Sequence, residues 1–241
     1  MALNKTVNIA AYKFVSLDDL LALRDALKSR CLALSLKGTI LLAPEGINLF
    51  LAGSEDNVAA FKHELSSDTR FADMSFKDSW SDARPFGKLL VKIKREIISF
   101  GKPEINPAKR PAERLSARTL KAWLDEGRDL VLLDTRNAFE VKHGTFKNAA
   151  DFAIDHFRNF PRAVERADPN LKEKTIVTFC TGGIRCEKAA PYLVQQGYKH
   201  VYQLDGGILK YFEQCGKAYF EGDCFVFDER IALDADLKPT E

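Results

Sequence analysis

"TIVTFCTGGIRCEKAA", residues 175–190, is the stretch on which the fold turns. Thr175 to Phe179 read as a short strand that stops at Cys180. Gly182 and Gly183 then break the pattern, Arg185 and Cys186 follow, and "CEKAAPYLVQQG" (186–197) continues with the spacing of a helix. A short apolar strand that does not alternate with polar residues is buried on both faces, as in a parallel sheet covered by helices. The surrounding sequence repeats the motif: "SARTLKAWLDEG" (116–127) and "HFRNFPRAVERA" (156–167, with Pro161 near its start) read as helices, "LVLLD" (130–134) as a strand, and "HVYQLDGG" (200–207) as a strand and turn. In such sheets the working site lies beyond the carboxyl ends of the strands, and Cys180 is expected there.

The residues after Cys180 give its thiol a definite chemical setting. Two glycines permit positive φ and leave backbone N–H groups unscreened, so Thr181, Gly182, Gly183, Ile184 and Arg185 can curl around an anion as a nest. The helix that follows adds a partial positive charge and Arg185 a full one. Each favours thiolate over thiol, and a cradle for a thiolate also suits an anionic persulfide. A buried strand cysteine is the plainer reading, but it leaves the glycines and the arginine unexplained. Cys186 stays open between a thiol that resolves an oxidised Cys180 and a small helix residue packed on the sheet. Two further clusters belong to the same edge: Asp134 and Arg136 with Glu140 after them, and the turn Asp205-Gly206-Gly207. Asp134 suits loop amides, Arg136 or Arg185 as partners.

The first half of the chain has a different order. "TVNIAAYKFV" reads as a strand, "SLDDLLALRDALKSRC" as a helix capped by Ser16, and "GTILLAP" and "INLFLAG" as strands joined by a turn at Glu45-Gly46. "SEDNVAAFKHELSS" follows as a helix capped by Ser54, with acidic residues in its first turn, and "LLVKIKREI" (89–97) as a closing strand. The order β-α-β-β-α-β is that of a ferredoxin-like sandwich. Pro103, Pro107 and Pro111 then interrupt both periodicities as a linker would. The expected division is a ferredoxin- or acylphosphatase-like α+β domain over 1–101, a linker over 102–115, an α/β domain over 116–216 and a tail over 217–241.

Charge divides unevenly along this plan. Residues 1–110 carry 17 Lys and Arg against 13 Asp and Glu, whereas 111–241 carry 19 against 21. The excess gathers in "KLLVKIKREIISFGKPEINPAKR" (88–110), where Lys88, Lys92, Lys94 and Arg95 suit a phosphate backbone; lysines also guard sheet edges from aggregation. Five cysteines, an odd number without a close C-x-x-C pair, argue for reduced thiols, and four histidines in no ligand spacing argue against a structural zinc. With 46% hydrophobic and 29% charged residues, no long apolar run and no secretory signature at its start, the chain is expected to be cytoplasmic.

The strand ending Asp134-x-Arg136, the following Glu140, the Cys180-x4-Arg185 loop and Gly206-Gly207-Ile208 together resemble the rhodanese family. Related cysteine phosphatases hold phosphate in a C-x5-R loop one residue longer, so the shorter loop favours sulfur. Across the whole chain, "LKGTILLAPEGIN", "PFGKLLVKIKREII", "DTRNAFEVKHGTFKNA", "CTGGIRCEKAAPYL" and "GDCFVFDERIAL" resemble the tRNA uridine(34) 5-hydroxylase family (TrhO, UPF0176-type), two-domain proteins containing a rhodanese domain. The "GHIPGA" turn of general rhodaneses is here Gly144 to Ala149, "GTFKNA", which fits the narrower family. The resemblance implies oxygen-dependent conversion of the wobble uridine to 5-hydroxyuridine in the anticodon loop of tRNA. Cys180 would be the catalytic residue, able to carry a persulfide, and the basic segment would bind tRNA. Molecular oxygen is then the co-substrate, with no donor of electrons, metal, membrane or obligate protein partner indicated. Oxygen chemistry rests on the resemblance alone, because no G-x-G-x-x-G fingerprint and no two-His-one-carboxylate set is present. The residues by themselves predict a rhodanese-type sulfurtransferase, drawing on thiosulfate or a persulfide, more readily than a hydroxylase.

Overall fold

In the computed structural model, which describes residues 5–240, the chain divides between Ile98 and Ser99 into two units. The first runs β1 (Thr6–Phe14), α1 (Leu20–Ala33), β2 (Lys37–Ala43), β3 (Gly46–Gly53), α2 (Glu55–Ser67), β4 (Phe76–Ser81) and β5 (Leu89–Ile93). Its sheet has the order β4-β1-β3-β2-β5. Strand β3 pairs antiparallel with both β1 and β2, which therefore run parallel with β3 inserted between them, the split βαβ arrangement. Val7, Ile9 and Ala11 alternate onto the covered face, where Leu23, Leu27 and Cys31 of α1 and Val58, Phe61 and Leu65 of α2 meet them at helical spacing.

Two details depart from periodicity. The strand that completes the four-stranded sheet is β4, "FKDSWS", paired with β1; its polar residues carry no apolar signal, and it forms because β1 offers an unpaired edge. Leu89–Ile93 is instead a fifth strand, parallel to β2 at the other edge. Helix α1 starts at Leu20 with Asp19 at its N-cap, not at Ser16. The Val15 and Leu17 amides are held by the Glu45 and Pro44 carbonyls, which keeps that segment out of the helix.

The "EGIN" turn also acquires a role. Glu45 Oε1 accepts the Ile97 amide at 2.8 Å, and Asn48 Nδ2 donates to the Ile97 carbonyl at 3.2 Å. The turn thus clamps the chain just after the basic run Lys92 to Arg95.

The second unit contains β6 (Glu113–Leu115), α3 (Ala117–Asp125), β7 (Leu130–Asp134), α4 (Ala138–Val141), β8 (Gly144–Phe146), β9 (Ala150–Asp151), α5 (Phe160–Val164), β10 (Thr175–Phe179), α6 (Ile184–Gln195), β11 (His200–Leu204), α7 (Gly207–Cys215), β12 (Phe220–Gly222), β13 (Cys224–Phe225) and β14 (Ala232–Leu233). The main sheet has the order β6-β11-β10-β7-β9 with every neighbouring pair parallel. Strand β10 is central and nearly unexposed, as its apolar run requires. The helix expected over 156–167 is shorter, a 3-10 turn at Phe157–Asn159 followed by α5.

The proline-rich segment and the C-terminal segment are both packed into this unit. Phe100 is 1% exposed and lies against Phe157, Phe160 and Tyr192. Residues 113–115 form the edge strand β6. Beyond residue 217, β12 pairs with β8, and Phe220 packs edge-to-face against Phe146 and Phe212. Prolines remove amide donors but do not stop flanking apolar side chains from anchoring a segment. Among the described residues no helix is long and apolar enough to cross a membrane.

Replacing Glu45 by Ala leaves the buried Ile97 amide without its acceptor, and the expected loss is roughly 1–3 kcal/mol. Urea unfolding followed by circular dichroism checks this; Glu45→Gln, which keeps a carbonyl oxygen, should lose less.

Candidate active site

Cys180 follows the central strand β10 and is 1% exposed. Its Sγ accepts the amide of Gly183 at 3.1 Å. Gly183, at φ 101°, is the N-cap of α6, a conformation that any side chain would strain. Helix α6 begins at Ile184, two residues earlier than its apolar spacing suggests, so Arg185 sits in its first turn. Gly182 has no positive φ; a Cβ placed there would meet nothing within 4 Å, so the outer side of the loop is open.

The loop is held from behind by the start of α7. The Ile208 amide donates to the Cys180 carbonyl at 2.9 Å and that of Leu209 to the Thr181 carbonyl at 3.1 Å. This contact needs Gly207, at φ 66°, because a Cβ there would lie 2.4 Å from the Cys180 carbonyl oxygen. The turn at Asp205-Gly206-Gly207 is therefore a support for the cysteine loop. Asp205 itself pairs with Lys210 and Arg114.

Two buried ion pairs flank the sulfur. Arg185 donates through both terminal nitrogens to Glu140, at 2.6 and 2.7 Å. Glu140 is simultaneously the third residue of α4, where its carboxylate receives the Asn137 amide in a capping box. Asp134 pairs with Arg136 rather than Arg185: it accepts the Arg136 amide at 3.0 Å and its guanidinium at 2.6 Å, and takes a further bond from Thr145 Oγ1. Arg136 also donates to the Gly144 carbonyl at 2.6 Å, tying "GTFKNA" to the same edge. With both terminal nitrogens committed to Glu140, the Arg185 Nε is buried without a hydrogen-bond partner.

Burial pushes the Cys180 thiol up, but the Cys186 S–H bonded to it, the Arg185 charge and the amides of Arg185 and Gly183 outweigh that and lower it to about 6. Cys186 goes the other way, held well above the ordinary thiol range by burial and by its bond to the Cys180 sulfur, with Thr135 and Thr178 offsetting only part. One thiolate and one thiol share a hydrogen bond: Cys186 is a donor to the anion. Burial raises Cys31 and Cys224 to about 12.

The structure thus brings together Cys180, Thr181, Gly182, Gly183, Ile184, Arg185, Cys186, Asp134, Arg136 and Glu140. Lys88, Lys92, Lys94 and Arg95 belong to the other unit, exposed on and around its edge strand β5; Leu89, Val91 and Ile93 pack on the core while Lys92 alternates outward. Sequence reasoning missed Phe139 beside Glu140, and Phe225 and Phe227 in the C-terminal segment. The Thr181 hydroxyl donates to the Phe225 carbonyl at 3.3 Å, and the Arg185 guanidinium lies 5.8 Å from the Phe227 ring centre. The clustered aromatics in "GDCFVFDE" were the available signal. Among the described residues no group of three His, Cys, Asp or Glu side chains could hold a metal ion.

Comparison with known proteins matches residues 6–97 to the UPF0176 acylphosphatase like domain and residues 116–214 to the rhodanese-like domain. The chain is 58% identical over 238 residues to a tRNA uridine(34) hydroxylase of Bordetella avium, covering 97% of this chain and 98% of that protein. It is 55% identical over 244 residues to one of Burkholderia thailandensis, covering 98% of this chain and 82% of that protein. One of Burkholderia mallei is 54% identical with the same coverage.

A lowered thiol is anionic above its pKa, so the ultraviolet thiolate absorbance of Cys180, wild type minus Cys180→Ser, should rise through a midpoint near pH 6. An ordinary thiol would rise near pH ~8.5. Cys186→Ala removes a donor to the anion and should move the midpoint upward, with Cys186→Ser in between. Gly207→Ala should displace the loop and raise the midpoint as well, since the amide bonds that shape the nest depend on that close approach.

Proposed function

The chain belongs to the tRNA uridine(34) hydroxylase family, and from that premise we propose that it hydroxylates the wobble uridine of tRNA at C5, with Cys180 as the reacting side chain. The observation that carries this reading is the identity of more than half the residues to those relatives across both units. A rhodanese domain alone would support only sulfur chemistry.

The geometry supports a nucleophile aimed at an uncharged group. A C-x5-R phosphatase keeps its arginine for phosphate, whereas here both terminal nitrogens of Arg185 are engaged by Glu140. In the step we propose, the Cys180 thiolate adds to C6 of uridine, and the displaced electron pair makes C5 enolate-like with charge on O4. The unpartnered Arg185 Nε–H is a donor for that developing charge. Oxygen is then joined to C5, and loss of the C5 proton with expulsion of Cys180 restores the double bond. In balance, C5–H becomes C5–OH, the second atom of molecular oxygen leaves as water, and an external donor supplies two electrons and two protons. No residue described here supplies them.

Uridine must leave its stack before a sulfur that is 1% exposed can reach C6. The open approach over Gly182 supports entry from that side. Lys88, Lys92, Lys94 and Arg95, exposed around one sheet edge, are proposed contacts for tRNA phosphates.

Nucleoside mass spectrometry of tRNA from a deletion strain tests the assignment. The 5-hydroxyuridine family of wobble nucleosides should disappear, return with the wild-type gene and stay absent with Cys180→Ser; loss of a thiolated nucleoside instead would establish sulfur transfer. Charge reversal at Lys92 and Lys94 should weaken tRNA binding and lessen the slope of log affinity against log salt by about 1 per lysine. Filter binding across a salt series measures it.

A further inference from the structure

Phe139 and Phe227 are 44% and 54% exposed. Single exposed aromatics are ordinary on a protein surface. These two are neighbours, with ring centres 6.3 Å apart at 88°, and each packs edge-on against Phe225, at 5.2 and 5.1 Å. The exposed His143 ring lies 5.2 Å from Phe225 on the same patch. The cluster therefore presents fixed ring faces rather than mobile side chains.

Its position ties it to the cysteine loop. Phe139 immediately precedes Glu140, the partner of Arg185, and Phe227 lies against the Arg185 guanidinium at 5.8 Å. Phe225 is bonded through its carbonyl to Thr181, the residue after Cys180. Three elements far apart in sequence, α4, the start of α6 and the segment after β13, converge on one rim. Phenylalanine offers no hydrogen-bonding group, so the rim can select flatness and polarisability but not a base edge. An exposed aromatic ring face is a surface on which nucleobases stack, and it tolerates any base.

We propose that Phe139 and Phe227 form a stacking platform for the unpaired nucleobase next to the target uridine, one ring taking the base on its face and the perpendicular ring meeting its edge, and so hold the strand while the target enters over Gly182. This rests on the tRNA reading above. The occupant is a base of single-stranded RNA: the reaction site beside the rim takes a base, and a flipped uridine leaves its neighbour without a stacking partner. The platform supplies that partner in place of the lost one, which makes extrusion easier.

The test is binding of a fluorescein-labelled anticodon stem-loop RNA by anisotropy, using the full chain. Phe139→Ala/Phe227→Ala should bind roughly tenfold more weakly, as expected for loss of one base-aromatic stack. Phe227→Trp should restore most of the affinity lost by Phe227→Ala. An RNA with an abasic site beside the target uridine should bind wild type roughly tenfold more weakly too, and the double variant should lose little more, since both changes remove the same contact. Circular dichroism and the Cys180 thiolate titration show that the variants keep the site. Equal binding of the intact loop by wild type and double variant overturns the platform alone. Wild type that does not bind the stem-loop overturns the platform and the tRNA reading together. Sedimentation as a dimer that Phe227→Ala converts to monomer would assign the rim to a second copy of the chain instead.

Discussion

The ion pair between Glu140 and Arg185 is the interaction on which the site depends. Both side chains are almost fully withdrawn from water, at 0% and 6% exposure, and the pair is bidentate. Desolvating two charges offsets most of their attraction, so such a pair is weak evidence for stability, but removing one partner costs about 3–5 kcal/mol because the other is left stranded. What it provides here is position. Glu140 is fixed by the capping box of α4, Arg185 by the first turn of α6, and their union sets the distance between the loop after β7 and the loop after β10. The Asp134–Arg136 pair repeats the device one layer away and draws in the Gly144 carbonyl.

Arg185 is paired with Glu140, yet its charge still favours the thiolate, beside short-range donors: the Cys186 S–H, the Arg185 amide and the Gly183 amide at 3.1 Å. These act only in one loop geometry, and that geometry is maintained by the α7 amides gripping the Cys180 and Thr181 carbonyls. The loop is thus bonded on both sides of its backbone, with N–H groups turned toward the sulfur and carbonyls turned toward α7. Preorganised donors of this kind need no rearrangement when charge moves during reaction.

Sequence periodicity reported what lies in the cores and little of what joins them. The five-residue apolar run before Cys180 disclosed a buried parallel strand, and the glycines and arginine after it disclosed an anion nest, because both features are local. Strand β4 escaped notice since "FKDSWS" is defined by the open edge of β1 rather than by its own pattern. Asp134 pairs with Arg136, one of the partners its sequence neighbourhood offered, while the choice against Arg185 depends on Glu140, which the loop after β7 brings to Arg185. The segment after residue 217 reads as a tail because its strands are two or three residues long. Its aromatic residues reach the site through contacts between parts far apart in sequence: β12 with β8, the Asp223 amide on the His143 carbonyl, and the Thr181 hydroxyl on the Phe225 carbonyl.

Burial of Cys180 has a consequence for the size of the substrate. A thiolate with a pKa near 6 in open water would meet every oxidant and electrophile, but at 1% exposure Cys180 is shielded from encounters that bring no binding of their own. A small acceptor contributes few contacts with which to drive its own entry to the buried sulfur. A polynucleotide contributes many, at positions remote from the reacting carbon, and contacts of that kind can be used to drive an unfavourable entry at the reacting centre. Unstacking a base and admitting it to a closed loop is such an entry. In the proposed stacking role, the exposed phenylalanines beside the cysteine loop are useful only with their faces left open. A closed sulfur with an open aromatic rim is the arrangement expected of an enzyme that acts on one base of a large, flexible strand.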